Sequence, residues 1–350
     1  MRNLKQVLTQ LETYSVPQYK NIIKLNQNES PYDVPEFLKK EIQAELELAD
    51  WNRYADLRPK ALIHAISEYT DHPPEGIIPG NGSNEMIQTL MNAFCYSSDS
   101  ILVVSPGFSV YPRLAKVMGL EIIEVPLLED FSFDVPAIIE KSAGVQLLFL
   151  AVPNAPTGTI LTVDQIRQIA EKIDGVLIVD EAYYEFYGET AQSLIREYDN
   201  LVVIRTFSKA FSLAGLRLGY MLAPPDAAIH LDKAKLPFSV GVFQQIGGEV
   251  LMRNFHYIQK IASEIIEERE RLLGEMRALS GINFVPSKTN FVLFEIKHMT
   301  ASEVYQAFFE HGVLIRVFKG GRLDSYVRVT VGSPEENNVF LEKLKQIAGK

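Results

Sequence analysis

Four short apolar runs, separated by stretches of helical periodicity, constrain the fold of this chain more than any other feature. They occupy residues 101–104, 147–150, 176–179 and 201–204. Their apolar residues follow one another without polar alternation, which is typical of parallel strands buried on both faces. The intervals leave room for crossover helices. This pattern predicts that residues of about 75–225 form a doubly wound, mostly parallel α/β domain.

The C-terminal third has a different organisation. A long charged helix is expected over about 253–278, followed by strands at 291–294 and 327–331 with helices between and after them. Three N-cap patterns mark helix starts, namely Thr162 with Gln165, Thr300 with Glu303, and Ser333 with Glu336. We predict three parts: an N-terminal arm at 1–35 that partly joins a small α+β domain at 253–350, and a large domain at 36–252.

Composition excludes several classes of function. The 350 residues carry a net charge of −10, which argues against nucleic acid and membrane surfaces as partners, because both attract basic patches. The single cysteine, Cys95, excludes an intrachain disulfide and a cysteine-cluster metal site, and we expect no metal. There is no apolar stretch of signal-peptide or membrane-spanning character. We expect a cytoplasmic enzyme.

Polar side chains follow several of the predicted strands. Asp180 and Lys209 lie where two strands end, while Phe108 and Asn154 lie a few residues into the loops after two others. Ligands of a doubly wound sheet bind beyond the carboxyl ends of its strands. The sequence therefore predicts a ligand site that these four residues share.

The chemistry of the lysine segment favours an aldehyde cofactor that carries a phosphate. Lys209 can supply the imine nitrogen, while Ser208 and Arg217 can donate to phosphate oxygens. Asp180 can pair with a pyridinium nitrogen and keep it protonated, which makes the ring an electron sink. Tyr183 adds a phenol three residues beyond that carboxylate.

These segments resemble the motifs of fold-type I pyridoxal-phosphate aminotransferases. Together with residues 24–29 (KLNQNE) and 80–85 (GNGSNE), they resemble the histidinol-phosphate aminotransferase branch, and the match runs from about residue 14 to 336. The resemblance implies the transferase fold of type I, pyridoxal 5′-phosphate as the cofactor, and an amino donor and a 2-oxo acid as substrates. It also implies a homodimer with shared active sites.

The resemblance assigns the cofactor contacts residue by residue. Lys209 holds the cofactor covalently and then moves protons as the general acid and base; Asp180 pairs with the ring nitrogen, Tyr183 donates to the phenolic oxygen, and Phe108 stacks on the ring. The phosphate is bound at a helix start and by side-chain donors, one of them reaching across from the partner subunit. These residues are Gly82, Ser83, Asn84, Thr206, Ser208, Arg217 and, from the partner, Tyr54.

The same resemblance implies three substrate ligands. Arg328 alternates with valines along its strand, so it projects away from the core, and it resembles the arginine that clamps a substrate carboxylate. Arg316 resembles a second arginine that reads the distal phosphate in the histidinol-phosphate branch. Tyr14, in the arm, resembles a further ligand of the distal group.

Two segments depart from the family pattern. Family members usually have Asn-Pro-Thr-Gly where this chain has Ala155 before Pro156, so the usual asparagine stands one residue early as Asn154. Asn154 takes the role of that donor only if the turn re-aims its side chain. The branch also has a tyrosine and asparagines where this chain has Phe238, Ser239 and Gly241. An aromatic amino acid suits this less polar pocket as well as histidinol phosphate does.

The leading hypothesis is transamination between histidinol phosphate and 2-oxoglutarate, in histidine biosynthesis. An aromatic amino acid aminotransferase would use the same machinery, and a pyridoxal-phosphate decarboxylase of similar fold is a further alternative. A nicotinamide or ATP enzyme is excluded because the chain has neither Gly-x-Gly-x-x-Gly after a strand nor a phosphate loop ending in Gly-Lys-Ser/Thr.

Overall fold

The strands fall into three sheets. The computed structural model describes residues 4–13 and 19–349. The strands of these residues are β1 (Ile23–Lys24), β2 (Ile77–Gly80), β3 (Ser100–Ser105), β4 (Glu121–Pro126), β5 (Leu147–Ala151), β6 (Val176–Asp180), β7 (Leu201–Thr206), β8 (Gly219–Leu222), β9 (Ile282–Val285), β10 (Phe291–Ile296), β11 (Val313–Leu314), β12 (Arg316–Val317) and β13 (Val327–Thr330).

The helices alternate with the strands along most of the chain. They are α1 (Val7–Gln10), α2 (Glu36–Glu47), α3 (Lys60–Thr70), α4 (Gly82–Phe94), α5 (Val110–Met118), α6 (Val135–Lys141), α7 (Val163–Ala170), α8 (Tyr184–Tyr187), α9 (Pro225–Ala234), α10 (Val242–Arg253), α11 (Phe255–Arg277), α12 (Ala301–Glu310) and α13 (Pro334–Ala348). The predicted N-caps open α7, α12 and α13, each as a complete capping box.

The largest sheet has seven strands in the order β2-β8-β7-β6-β5-β3-β4. The five strands from β7 to β4 run parallel, whereas β8 is antiparallel to both of its neighbours. Alternate residues of one strand enter two different cores: Leu148 and Leu150 face one, Leu147 and Phe149 the other. Burial on both faces explains the continuous apolar runs. The predicted doubly wound α/β architecture is confirmed.

The strand directions bring several loops to one edge of this sheet. The carboxyl ends of β2, β3, β5, β6 and β7 lie at this edge, because β2 is antiparallel to β8 and β8 is antiparallel to β7. The strand β8 begins there. Residues that follow β2, β3, β5, β6 or β7 therefore meet at a common surface with the residues that precede β8.

A second sheet has four antiparallel strands in the order β12-β13-β10-β9, and the arm is attached beside it. Strand β1 of the arm pairs in parallel with β11, with Ile23 opposite Val313 and Lys24 opposite Leu314. The large sheet lies wholly within residues 77–222 and the small one within 282–330. No helix in the described ranges is both long and apolar enough to span a membrane.

Candidate active site

Lys209 lies just beyond the end of β7 and is partly buried. Its Nζ donates to the carbonyl oxygen of Gln27, in the arm, at 3.1 Å. Burial, followed by the positive charges of Arg328 and Arg217, lowers the pKa of the lysine to about 8. Its amine therefore loses its proton at a much lower pH than an exposed lysine does, as a nucleophile or a proton carrier requires.

Asp180 is the last residue of β6, and its carboxylate is buried. The hydroxyl of Tyr111 donates to its Oδ2 at 2.7 Å, and the backbone N–H of Ala182 donates to its Oδ1 at 3.1 Å. Burial raises the pKa of this carboxyl to about 6, against the effect of the two hydrogen bonds and of Lys209. The site thus holds a buried carboxylate that a cationic partner, such as a pyridinium, would stabilise.

The segment after Asp180 is fixed by a buried ion pair. The carboxylate of Glu181 accepts two hydrogen bonds from Arg205, at 2.9 and 2.8 Å, and a third from the backbone N–H of Ala191 at 2.7 Å. Both charged side chains are almost fully buried. Because the pair joins β7 to the loop after β6, it holds the two strand ends that carry Lys209 and Asp180 in register.

Tyr183 follows in the same loop, and its phenol is buried. The side-chain nitrogen of Asn28 donates to the phenol oxygen at 2.8 Å. The tyrosine ring packs edge-on against Phe291, with centroids 5.2 Å apart, and Lys209 Nζ lies 5.8 Å from the tyrosine centroid. The phenol and the lysine therefore belong to one site.

The predicted phosphate donors form a chain of hydrogen bonds. Arg217 Nη1 donates to Ser208 Oγ at 2.9 Å, and Thr206 Oγ1 donates to the same oxygen at 3.1 Å. Gln244 holds the arginine from behind, since its Nε2 donates to the Arg217 carbonyl oxygen at 2.9 Å. Hydroxyl and guanidinium groups together are the donors that a phosphate monoester needs.

The start of α4 borders this cluster. Gly82 has a φ of +74°, and a Cβ at that position would lie 2.6 Å from Arg217 Nη2. Asn81, the residue before the helix, makes no side-chain capping bond. The first backbone N–H groups of α4, including those of Ser83 and Asn84, thus have no cap from this side chain, and a bound anion is favoured there.

The two predicted substrate arginines lie side by side. Arg316 of β12 is directly opposite Arg328 of β13 in the antiparallel register, so both side chains leave the same face of the small sheet. Arg328 lies over Phe291, with its guanidinium carbon 4.9 Å from the ring centroid, and it donates to the Asn26 carbonyl oxygen at 3.3 Å. Lys209 and Arg328 donate to the carbonyl oxygens of the consecutive arm residues Gln27 and Asn26, so the two side chains lie near each other.

Asn154 is fully buried, but its side-chain nitrogen is engaged. Its Nδ2 donates to the Pro106 carbonyl oxygen at 3.1 Å and to Thr157 Oγ1 at 2.8 Å, leaving only the acceptor Oδ1 without a partner. Ala155, in the usual place of the asparagine, has no polar side chain. Asn154 as a donor to the cofactor stays a prediction, and in this arrangement its nitrogen serves the turn.

The remaining predicted residues lie around this centre. Phe108 contacts Tyr111 edge-on at 5.3 Å and is partly buried. Tyr54 is 84% exposed and stacks on Phe238, with centroids 4.5 Å apart. Tyr14 lies outside the described residues.

This donor set fits pyridoxal phosphate. Two observations carry the fit: the glycine at the start of α4 leaves space that a Cβ would fill against Arg217, and the buried carboxylate of Asp180 lies near the partly buried Lys209. The hydroxyl and guanidinium cluster would hold the phosphate, Asp180 the ring nitrogen and Lys209 the aldehyde carbon.

Two residues of the site were missed by sequence reasoning. Tyr111 follows Phe108 by three residues, one helical turn, and this spacing could have placed it on the same face as the predicted stacking ring. Asn28 lies within the quoted motif at 24–29, yet no sequence pattern connects it to Tyr183, which is 155 residues away.

Comparison with known proteins agrees with the site. A family model described as aminotransferase class I and II matches residues 20–344. The chain is 36% identical over 351 residues to the histidinol-phosphate aminotransferase of Prosthecochloris aestuarii, covering 99% of this chain and 98% of that protein. It is 41% identical over 348 residues to histidinol-phosphate aminotransferase 1 of Carboxydothermus hydrogenoformans, covering 99% of each.

A solved structure shares the fold. The histidinol-phosphate aminotransferase of Sinorhizobium meliloti, in complex with pyridoxal-5′-phosphate, superposes with a TM-score of 0.91 at 21% identity, covering 100% of this chain and 98% of that one. The predicted transferase fold of type I is confirmed. The family also confirms pyridoxal phosphate as the cofactor. The chain belongs to the class I and II aminotransferase family and is therefore an enzyme that transfers amino groups with pyridoxal phosphate.

Proposed function

We propose that the enzyme converts histidinol phosphate and 2-oxoglutarate to imidazole acetol phosphate and glutamate, a step of histidine biosynthesis. The observation that carries the proposal is the pairing of Arg316 with Arg328 on one face of the small sheet. Two neighbouring guanidinium groups concentrate positive charge and so attract an anion. A phosphate monoester carries close to two negative charges at neutral pH, which suits the pair better than a single carboxylate does.

The two substrates would use the same arginines in turn. Histidinol phosphate has no α-carboxylate, so its phosphate would take the place that the carboxylate of glutamate occupies in the other half of the reaction. Arg328 would bind either anion, while Arg316 adds the second charge that favours the phosphate. The similarity to two histidinol-phosphate aminotransferases at 36% and 41% identity supports this substrate.

The buried groups divide the remaining work. Pyridoxal phosphate, when bound, supplies an aldehyde that takes up an amino group and a ring that stores an electron pair. The lowered pKa of Lys209 suits an amine that moves protons near neutral pH. Asp180 would keep the ring nitrogen protonated, and Tyr183 would donate to the phenolic oxygen.

We also propose that the enzyme is a homodimer in the cytoplasm. Trp51, which is 66% exposed, contacts Phe243, and Tyr54, three residues along the chain, stacks on Phe238. We call these four residues the aromatic cluster. An exposed group of large rings is typical of a surface that another chain covers. A second copy of this chain would bring its Tyr54 to the phosphate site, as the family resemblance implies.

The first experiment is a half-reaction on the protein loaded with pyridoxal phosphate. Histidinol phosphate or phenylalanine is added alone, and the loss of the cofactor's visible absorption is followed as the amino group is transferred. We expect rapid conversion by histidinol phosphate. A preference for phenylalanine would instead indicate an aromatic amino acid aminotransferase, and release of carbon dioxide from an amino acid would indicate a decarboxylase.

The same assay tests the arginine pair. We expect Arg316→Gln to lower kcat/KM for histidinol phosphate by about tenfold to a hundredfold, the effect of losing one charged hydrogen-bonding partner, and to affect glutamate less. Arg167→Gln is the control, because Arg167 pairs with Glu197 at the surface. Equal losses for both substrates would contradict a phosphate-specific role for Arg316.

A further inference from the structure

Asn28 joins three parts of the molecule at the phenol of Tyr183. Its side-chain nitrogen donates to the phenol oxygen at 2.8 Å. Its backbone N–H donates to Thr330 Oγ1 at 2.9 Å, and its carbonyl oxygen accepts from Asn290 Nδ2 at 3.1 Å. Thr330 lies on β13, two residues after Arg328. The asparagine thus ties the arm and the small sheet to the loop that follows β6.

The network fixes which end of the Asn28 amide faces the tyrosine. Thr330 Oγ1 accepts the backbone N–H of Asn28, so its own hydrogen is available for Asn28 Oδ1, 3.4 Å away. With Oδ1 directed at the threonine, the Nδ2 donor faces Tyr183. A phenol oxygen that accepts this bond directs its own hydrogen towards another acceptor.

The orientation of the Tyr183 hydroxyl matters more in this chain because no asparagine stands at position 155. Ala155 stands where family members have an asparagine that donates to the cofactor's phenolic oxygen, and the side-chain nitrogen of Asn154 is engaged by Pro106 and Thr157. In that arrangement Tyr183 is left as the donor to the phenolic oxygen. A hydroxyl that accepts one hydrogen bond donates a stronger one, because the bonds polarise each other.

We infer that Asn28 is a positioning residue for the transamination, which orients and strengthens the Tyr183 hydroxyl as the donor to the cofactor's phenolic oxygen. The inference rests on the role proposed above for Tyr183. Asn28 acts through the tyrosine and not on the substrate. Its contacts with Thr330 hold it beside the strand that carries Arg328.

Charged groups around the phenol set its environment. Burial raises the pKa of Tyr183, whereas the charge of Arg328 and the Asn28 hydrogen bond act in the opposite direction, and Asp180 adds to the rise. Lys209 Nζ lies 5.8 Å from the centroid of the tyrosine ring. None of these charges changes when Asn28 is replaced by a neutral residue, which makes the variant a clean test.

The test is the pKa of the link between Lys209 and the cofactor, measured by titrating its visible absorption in the loaded protein. We expect Tyr183→Phe to raise this pKa by about one unit, as loss of a hydrogen bond to the charged ring oxygen does. Asn28→Ala should raise it by about half a unit through the weakened donor. In the double variant, loss of Asn28 should add nothing to the effect of Tyr183→Phe.

A second variant guards against a folding defect. Asn28 has a φ of +55°, which glycine adopts without strain, so Asn28→Gly removes the side chain and preserves the backbone. It should reproduce the shift of Asn28→Ala. Ser30→Ala is the control, since it removes an arm contact, the bond with Ser212 Oγ at 2.9 Å, without touching Tyr183. In the Ser30→Ala variant, the pKa of the link between Lys209 and the cofactor should equal that of the unaltered enzyme.

Each result has a defined meaning. A shift that appears only when Tyr183 is present supports the inference. A shift of the same size in the Tyr183→Phe background overturns it, because Asn28 would then act without the tyrosine. If Tyr183→Phe shifts the pKa and both Asn28 variants do not, the positioning role is wrong while the role of Tyr183 stands. If Tyr183→Phe has no effect, the proposed role of Tyr183 itself fails.

Discussion

Lys209 shows how burial prepares a residue for chemistry before any ligand binds. The partly buried side chain is desolvated, and Arg328 and Arg217 both disfavour its charged form, so its pKa falls from 10.5 to about 8. An amine with this pKa is partly neutral under physiological conditions, whereas an exposed lysine is almost fully charged. Arg328 and Arg217, which we assign to the substrate anion and to the cofactor phosphate, therefore also lower the pKa of Lys209.

The lowered pKa of Lys209 reduces the free energy of unfolding of the cofactor-free protein at neutral pH. Between about pH 8 and 10.5 the unfolded chain binds more protons than the folded one, so the free energy of unfolding rises with pH in that window. A shift of this size corresponds to about 3 kcal/mol. We expect Lys209→Met to remove this rise and to be more stable than the parent protein at pH 7.

Urea unfolding at several pH values from 7 to about 10.5 measures the effect. Lys172→Met is the matched control, because Lys172 is exposed, and it should retain the rise of the parent protein. A rise that survives in the Lys209 variant would contradict the assignment, since another group would then be responsible.

Site residues that lie at the ends of recognisable strands could be predicted from the sequence. Site residues that reach the centre from distant segments could not. Lys209 and Asp180 stand next to strands whose apolar pattern is strong, so the edge of the sheet could be inferred, and Arg217 belongs to the motif segment that begins with Lys209. Asn28 and Tyr111 contact the site through side chains from the arm and from α5. No local pattern encodes a contact of that kind, because it depends on how distant segments pack.

At the scale of elements, strong periodicity and caps were reliable signals. The buried strands β3, β5, β6 and β7 and the cap-opened helix α7 fall within a few residues of their predicted bounds. Strand β8 was missed, because it has only four residues and begins with a glycine that breaks the apolar run. Its antiparallel direction places Arg217 at the edge where the phosphate site lies.

The start of α4 gives a prediction about cofactor binding. Gly82→Ala places a Cβ against Arg217 in a backbone conformation with φ of +74°. We expect the affinity for pyridoxal phosphate to fall by about tenfold or more, because the arginine is displaced from the phosphate donors. Absorption titration of the cofactor-free protein measures this affinity.

Gly188→Ala is the control that separates the displacement of Arg217 from the backbone strain that alanine causes at a positive φ. Gly188 has a φ of +88°, but a Cβ there meets no atom within 4 Å. Both variants should lose about 1 kcal/mol of stability from the left-handed backbone, while only the Gly82 variant should bind the cofactor less well. Equal affinities in the two variants would contradict a phosphate role for the start of α4.

At the scale of the whole molecule, the aromatic cluster predicts assembly. The cluster consists of Trp51, Tyr54, Phe238 and Phe243, as defined above. We expect Trp51→Glu to convert a dimer into a species with the 39.4 kDa mass of one chain, because a buried carboxylate opposes the contact. Light scattering of the purified protein measures the mass.

Tyr96→Glu is the control for that change. Tyr96 is an aromatic residue outside the cluster and is 85% exposed, so its variant should keep the mass of the parent protein. A parent protein that has the mass of one chain at micromolar concentration would contradict the proposed dimer. The boundary at residues 252 and 253 is a separate prediction, which the positions of the two sheets agree with but do not test.

The hydrogen bond between Asn28 and Thr330 affects the order in which the parts of the chain can fold during synthesis. The two residues are 302 positions apart, and the arm strand β1 pairs with β11 far along the chain. During synthesis the large sheet can form once its last strand has emerged, whereas the arm must wait for almost the entire polypeptide. A ribosome that stalls after residue 300 would thus release a chain with a folded sheet and an unfinished catalytic centre.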